Sequence, residues 1–314
     1  MNLDSLSGDT VTTSAAARVV RGVEELRAAL APARREGRTI GLVPTMGFLH
    51  EGHISLLRAA RAECDVVVMS LFVNPTQFGP NEDLARYPRD EERDLGLAGE
   101  AGVDLVFAPV AEELYPDGFA TAVEVTGGLT TVLDGDPGRR GPGHFRGVTT
   151  IVAKLFNIVG PDVAYFGQKD AQQAAVIKRM VRDLDFPLRV EVMPTVREED
   201  GLAMSSRNVY LEPADRVRAV AISRALAAAE QQALALDSLE AGLIAARIEL
   251  AAAAIDPEYL EARDAETLEP VEGLTGRPIL IAVAAKVGGA RLIDNVVIEP
   301  LAGRIPDQPD QKRR

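Results

Sequence analysis

Between Val19 and about Val196, short apolar runs recur in step with longer amphipathic ones, and this rhythm restricts the fold more than any other property of the chain. The apolar runs are Thr39–Val43, Asp65–Val73, Asp104–Pro109, Asp162–Phe166 and Leu188–Val196, with Ala122–Val125 as a shorter extra. Helical segments start near Val23, His53, Asp90, Val148 and Ala171. Strands that are continuously Val, Ile and Leu need cover on both faces, which helices alternating with parallel strands provide. The expected class is α/β, a Rossmann-like doubly wound parallel sheet over residues 19–196. Its first strand-to-helix turn lacks Gly-x-Gly-x-x-Gly, which argues against a dinucleotide cofactor.

The pattern changes after Arg197-Glu198-Glu199-Asp200-Gly201, a polar stretch suited to a hinge. Two alanine-rich helices are expected at Pro213–Leu236 and Leu239–Ile255, then strands at Tyr259–Ala262, Ile279–Val287 and Ala290–Val297. The last two flank Gly288-Gly289, a hairpin signal. Residues 197–303 therefore read as a smaller α+β lid domain. The ends, 1–18 and 304–314, carry too little apolar content to pack and are expected to be disordered.

A net charge of −13, from 34 Lys and Arg against 47 Asp and Glu, argues against nucleic acid as a partner. An anionic ligand must then be held by local groups against the field of the whole protein. The single cysteine, Cys64, has no partner for an internal disulfide and reads as a small core residue. With neither a signal peptide nor a long apolar run, the expectation is a cytoplasmic protein with no membrane contact.

Two of the three histidines lie in Pro44-Thr-Met-Gly-Phe-Leu-His-Glu-Gly-His53, directly after the first long strand. His50 and His53, three apart at a helix start, project imidazoles to one side beside free backbone N–H groups, an arrangement suited to a triphosphate. A zinc-protease helix instead needs i, i+4 spacing and a third ligand; capping or packing histidines are the plainer alternative.

Four further segments fall mostly at strand ends, where an open α/β sheet places its ligands. Phe72-Val-Asn-Pro-Thr-Gln-Phe78 offers the amides of Asn74 and Gln77. Tyr87-Pro-Arg-Asp90, with Asp94 four residues on, supplies carboxylates that either cap a helix or hold Mg²⁺ beside phosphates. Gly167-Gln-Lys-Asp170, followed by Gln172 and Gln173, places Lys169 at a helix N-terminus, where a cation opposes the dipole and calls for an anion. Met204-Ser-Ser-Arg-Asn208 brings two hydroxyls and a fixed cation next to the hinge. No Ser-His-Asp or Cys-His set and no Walker loop accompanies them. The inventory suits a phosphoryl transition state, with attack at the α-phosphate to give an adenylate.

Five segments in this order resemble the pantoate–β-alanine ligases of the nucleotidyltransferase superfamily: the Pro44 to His53 run, Phe72 to Phe78, Pro142-Gly-His-Phe-Arg-Gly-Val148, Tyr165 to Asp170, and Met204 to Asn208. The resemblance implies that the carboxylate of (R)-pantoate attacks Mg-ATP, that β-alanine then displaces AMP to give pantothenate, and that the protein is a homodimer. It implies ATP contacts at Met46, Gly47, His50, His53, Gly167, Gln168, Lys169, Asp170, Val196, Met204, Ser205, Ser206 and Arg207. Pantoate and β-alanine are then expected at Gln77, Gln173, Met46, Phe72 and Asn74, Mg²⁺ at Asp94, and the catalytic roles at His53, His50, Lys169 and Arg207. The run Arg139-Arg-Gly-Pro-Gly-His144 departs from the family's Arg-Pro-Gly-His-Phe, with Gly135-Asp-Pro-Gly138 lengthening the loop, so which of Arg139 and Arg140 faces the site is open. Rival readings are another adenylyltransferase, which would want more basic residues around its acceptor, and a nucleotide sensor without chemistry.

Overall fold

Six parallel strands form the larger sheet of the computed structural model, which describes residues 17–80, 82–274 and 276–299. The first half runs β1 (Arg18–Val20), α1 (Val23–Arg35), β2 (Ile40–Thr45), α2 (Glu51–Glu63), β3 (Val66–Leu71), α3 (Glu91–Glu100), β4 (Leu105–Phe107) and the single turn α4 (Ala111–Leu114). It continues with α5 (Pro142–Val159), β5 (Val163–Gly167), α6 (Ala171–Asp183) and β6 (Arg189–Met193), and the sheet order is β1-β4-β3-β2-β5-β6. Successive side chains of one strand enter opposite cores. Leu42 and Val68 pack with Leu26 and Leu30 of α1 and Phe156 of α5, while Val43, Val67 and Met69 pack with Leu57 of α2 and Ala98 of α3. This is the two-sided burial that continuous Val/Ile/Leu strands require.

The second unit comprises α7 (Pro213–Ala219), α8 (Ala221–Leu236), α9 (Leu239–Ala252) and an antiparallel sheet of β7 (Pro257–Asp264), β8 (Ile279–Val287) and β9 (Ala290–Ile298). Strand β8 is apolar on both faces. Ile279, Ile281, Val283 and Ala285 pack under α8 and α9, whereas Leu280, Ala282 and Ala284 join Leu129, Leu133, Phe145 and Val176 of the first unit. Burial of a side chain such as Leu or Phe contributes about 1.5–3 kcal/mol, and this shared cluster is what joins the sheet to the first unit.

Several expected boundaries move. Strand β1 begins at Arg18, inside the segment expected to be disordered, and is too short to show a period; residues 1–16 and 304–314 lie outside the described residues. Ala122–Val125 is not a strand. Its Val123 N–H donates to Thr150 Oγ1 (3.0 Å) and its carbonyl accepts from Thr149 Oγ1 (2.6 Å), so hydroxyls of α5 take the place of a ladder. Helix α5 begins at Pro142 rather than near Val148, because proline suits the first helical position and Gly141 (φ 77°) makes the turn before it. The expected helix at Pro213–Leu236 divides at Val220 into α7 and α8.

Candidate active site

The strand order reverses between β2 and β5, with β3 and β4 to one side and β6 to the other. Loops leaving two such strands diverge and leave a crevice at their carboxyl ends. Here that crevice is a cavity of about 250 Å³, closed from the far side by Tyr259, Leu280, Ala282 and Ile293 of the smaller sheet. Every site residue singled out from the sequence lines it except Gly47, Gln168 and Asp94.

Gly47 and Asp94 shape the site from behind. After β2 the chain makes two left-handed residues, Gly47 (φ 83°) and Phe48 (φ 52°), the second costly for a residue with a side chain. Asp94 offsets that cost. Its Oδ2 accepts the Phe48 N–H and its Oδ1 the Leu49 N–H, both at 2.7 Å, and the carboxylate is 1% exposed. Burial nonetheless raises its pKa above the usual range. Both oxygens of Asp94 thus accept from backbone amides, and the side chain is not among those lining the cavity. Among the described residues, no group of three or more His, Cys, Asp or Glu side chains could hold a metal ion.

The Asp94 clamp aims α2 so that His50 and His53 face the cavity with ring centroids 4.1 Å apart. The His50 N–H donates to His53 Nδ1 (3.3 Å), so the neutral ring of His53 carries its hydrogen on Nε2. Burial, reinforced by the charge of Lys169, pushes His50 down to about 4. Burial and the neighbouring His50 hold His53 well below the ordinary histidine value. Both imidazoles are uncharged at neutral pH and act as dipolar donors. Nδ1 of His50 is buried with no hydrogen-bond partner among the described residues.

Three cations line the cavity, and two are paired. Arg207 forms a two-pronged contact with Asp83 (2.9 and 3.0 Å) and lies over the Tyr87 ring, and Arg140 forms one with Glu82 (2.9 and 2.8 Å). Among the described residues, Lys169 has no carboxylate partner. Of the two loop arginines it is Arg140 that faces the cavity. Arg139 turns to the smaller sheet, donating to the Leu133 and Glu258 carbonyls and stacking on Tyr259.

Gln168 points away from the cavity to β9, its Nε2 donating to Asn295 Oδ1 (3.0 Å). Asn295 Nδ2 in turn donates to the Gln168 and Lys169 carbonyls (2.9 and 3.0 Å), fixing the loop that carries Lys169. On the opposite side Ser205 Oγ caps its own turn by accepting from the Arg207 N–H, and Ser206 Oγ donates to the Phe48 carbonyl.

The amide half of the cavity is more fully wired. Asn74, 1% exposed, accepts from Thr76 and the Tyr115 hydroxyl and donates to Gln77 Oε1 (3.1 Å) and the Gly147 carbonyl (3.1 Å). With its oxygen taken, Gln77 presents its NH₂, which contacts Met46 Sδ at 3.3 Å. Gln172 is spent on the backbone of the 129–134 segment, which leaves Gln173, one turn position on, to face the cavity. The sequence reading missed the partners Asp83, Glu82 and Asn295, and it gave no role to the third histidine, His144.

The pantoate-beta-alanine ligase family model matches residues 18–297. The chain belongs to the pantoate–β-alanine ligase family. Pantothenate synthetase of Moorella thermoacetica is 57% identical over 289 residues, covering 90% of this chain and 98% of the relative. That of Brucella canis is 50% identical over 296 residues, covering 92% and 98%. The crystal structure of pantothenate synthetase from Thermus thermophilus matches with a TM-score of 0.84 at 51% identity, over 90% of this chain and 100% of that one. The Francisella tularensis ligase, solved with β,γ-ATP and β-alanine, matches with a TM-score of 0.74 at 33% identity, over 90% and 98%. The family's reaction joins pantoate to β-alanine at the expense of ATP. No described helix of this ligase is long and apolar enough to cross a membrane.

Proposed function

We propose that the cavity between β2 and β5 carries out both halves of pantothenate formation, with the nucleotide along the histidine and lysine side and pantoate along the amide side. The observation that carries this reading is the meeting of Lys169, without a carboxylate partner, with two uncharged imidazoles at the switch point. An anion there gains a cation and two N–H donors, and displaces no competing carboxylate. Met46, Gly167, Asp170, Val196 and Met204 supply the remaining surface for ATP, Gly47 shaping it from behind, and Ser205, Ser206 and Arg207 receive the leaving diphosphate. Release of Arg207 from Asp83 is the rearrangement this asks for.

In the first step a pantoate carboxylate oxygen forms a bond to Pα as the bond from Pα to the bridging oxygen breaks, and diphosphate leaves. His53, His50 and Lys169 stabilise the five-coordinate phosphorus. In the second step the β-alanine nitrogen bonds to the acyl carbon, the acyl–phosphate C–O bond breaks, AMP leaves and the nitrogen loses its proton to water. Gln77 and Gln173 hold pantoate by donating to its oxygens, while Met46 and Phe72 meet its dimethyl carbon. Asn74 acts through Gln77.

Mg²⁺ would enter with the triphosphate, held chiefly by phosphate oxygens and water, and would neutralise part of its charge. Residues 19–196 and 197–303 work as the two walls of one site, and a homodimer is the assembly the family likeness suggests, read by sedimentation. The deciding assay incubates the protein with Mg-ATP and pantoate, with and without β-alanine, and separates AMP and diphosphate from ADP and phosphate. AMP and diphosphate in equal amounts, turning over only with β-alanine, is the expected result. ADP as product would overturn attack at the α-phosphate.

A further inference from the structure

We propose that His144 is a positioning residue for pantoate, holding the main chain of Gln77 so that the Gln77 amide faces the acid. The proposal rests on the reading that Gln77 contacts pantoate.

His144 lies in the first turn of α5, 8% exposed, at the edge of the cavity, and Nδ1 stands 2.8 Å from the Gln77 carbonyl oxygen. A carbonyl only accepts, so Nδ1 carries the hydrogen and donates. Burial, with Arg140 adding to it, pushes His144 down to about 4, so the ring is neutral and this tautomer is retained at neutral pH. Asp134 and Glu82 face the same ring and act the other way, without reversing the direction.

Gln77 belongs to a short turn, Pro75–Gln77, that has no strand or long helix to fix it. Its side-chain oxygen is set by Asn74, and its main chain is set from α5. The packing there is too close for a side chain at Gly147, where a Cβ would lie 2.4 Å from the Thr76 oxygen and 2.7 Å from Gln77 Cα. One helical turn thus grips the Gln77 turn three ways: by the His144 ring, by the Gly147 carbonyl on Asn74, and by contact at the bare Gly147 Cα. Without the His144 hydrogen bond the Gln77 carbonyl loses a buried partner and the turn can rotate about the Asn74 contact.

The test is steady-state kinetics of the full chain carrying His144→Ala, His144→Asn or His144→Gln, with KM read separately for pantoate, ATP and β-alanine and thermal unfolding read in parallel. An asparagine amide nitrogen occupies the place of ring Nδ1, and a glutamine amide nitrogen that of Nε2. His144→Ala and His144→Gln are expected to raise KM for pantoate by about 5- to 50-fold, the effect of one lost buried hydrogen bond. His144→Asn should recover most of that loss, with KM for ATP within about twofold throughout. Rescue by Gln equal to rescue by Asn, or a parallel rise in all three KM values with a lowered unfolding midpoint, would overturn positioning. If His144→Ala does not fold, the Asn and Gln pair decides by the same criterion. Gln77→Ala is run alongside. If it leaves KM for pantoate unchanged, the placement of pantoate fails; if it raises that KM while His144→Gln does not, the placement stands and the role of His144 falls.

Discussion

The two sides of the cavity spend their polar groups differently. On the amide side Asn74, Gln77, Gln172 and His144 are hydrogen-bonded to one another or to nearby main chain. On the histidine and lysine side, proposed above for the nucleotide, Lys169 has no carboxylate partner, and His50 Nδ1 and Thr195 Oγ1 are buried without hydrogen bonds among the described residues. A neutral acid substrate pocket gains from being locked in advance, since each ordered side chain lowers the entropy lost on binding. A phosphate site gains from keeping its donors uncommitted, because a buried donor already paired to a carboxylate must lose that partner before it can serve an anion.

The sharpest break in this contrast is at Lys169. Lys169→Ala, or His53→Ala, is expected to lower kcat by about 10²–10³-fold, and since Lys169 makes no ion pair, its removal should leave the unfolding midpoint nearly unchanged. A loss of stability without a loss of rate would reverse the roles of the two sides. Acid titration comes next. His50 and His144 both lie near 4 in the folded chain against 6.5 for the free side chain, so the unfolded state binds more protons between those values. Stability therefore falls as pH drops from about 6.5 towards 4, by up to about 3 kcal/mol per histidine. Denaturant unfolding at pH 7 and pH 5 measures the slope, and His144→Asn should remove part of it.

Asp94→Ala strips two buried N–H groups of their acceptor and should lower stability by about 2–4 kcal/mol, read by thermal or denaturant unfolding. Asp94→Asn, which keeps one acceptor, should retain the wild-type dependence of rate on Mg²⁺ concentration. A steep rise in the Mg²⁺ needed would return Asp94 to the metal. The smallest effect is expected at the loop arginines. Arg139→Ala should cost about 1 kcal/mol of stability with KM for pantoate unchanged, whereas Arg140→Ala should raise that KM, because Arg140 alone of the two faces the cavity.

Much of the histidine and lysine side was legible because it is contiguous in the chain: His50 and His53 share one helix start, and Lys169 lies in the turn that follows the neighbouring strand β5. Five of the six parallel strands were legible for the same reason, each carrying its own apolar run, whereas the three residues of β1 were not. What could not be read are contacts made across the fold. Arg140 finds Glu82 across 58 residues, Arg207 finds Asp83 across 124, and Asn295 reaches Gln168 across 127; no local spacing announces them. The backbone role of Asp94 was out of reach for a related reason. A carboxylate near a helix start is visible in a sequence, but the two amides turned towards it by left-handed residues are not.

The grip of Asn295 on the Lys169 loop has a practical meaning for altering this ligase. Its two Nδ2 bonds take main-chain carbonyls, so they are indifferent to the side chains that stand at 168 and 169. A substitution at 168 would give up the Gln168 Nε2 bond to Asn295 Oδ1, while the two main-chain bonds would still tie the loop to the far sheet.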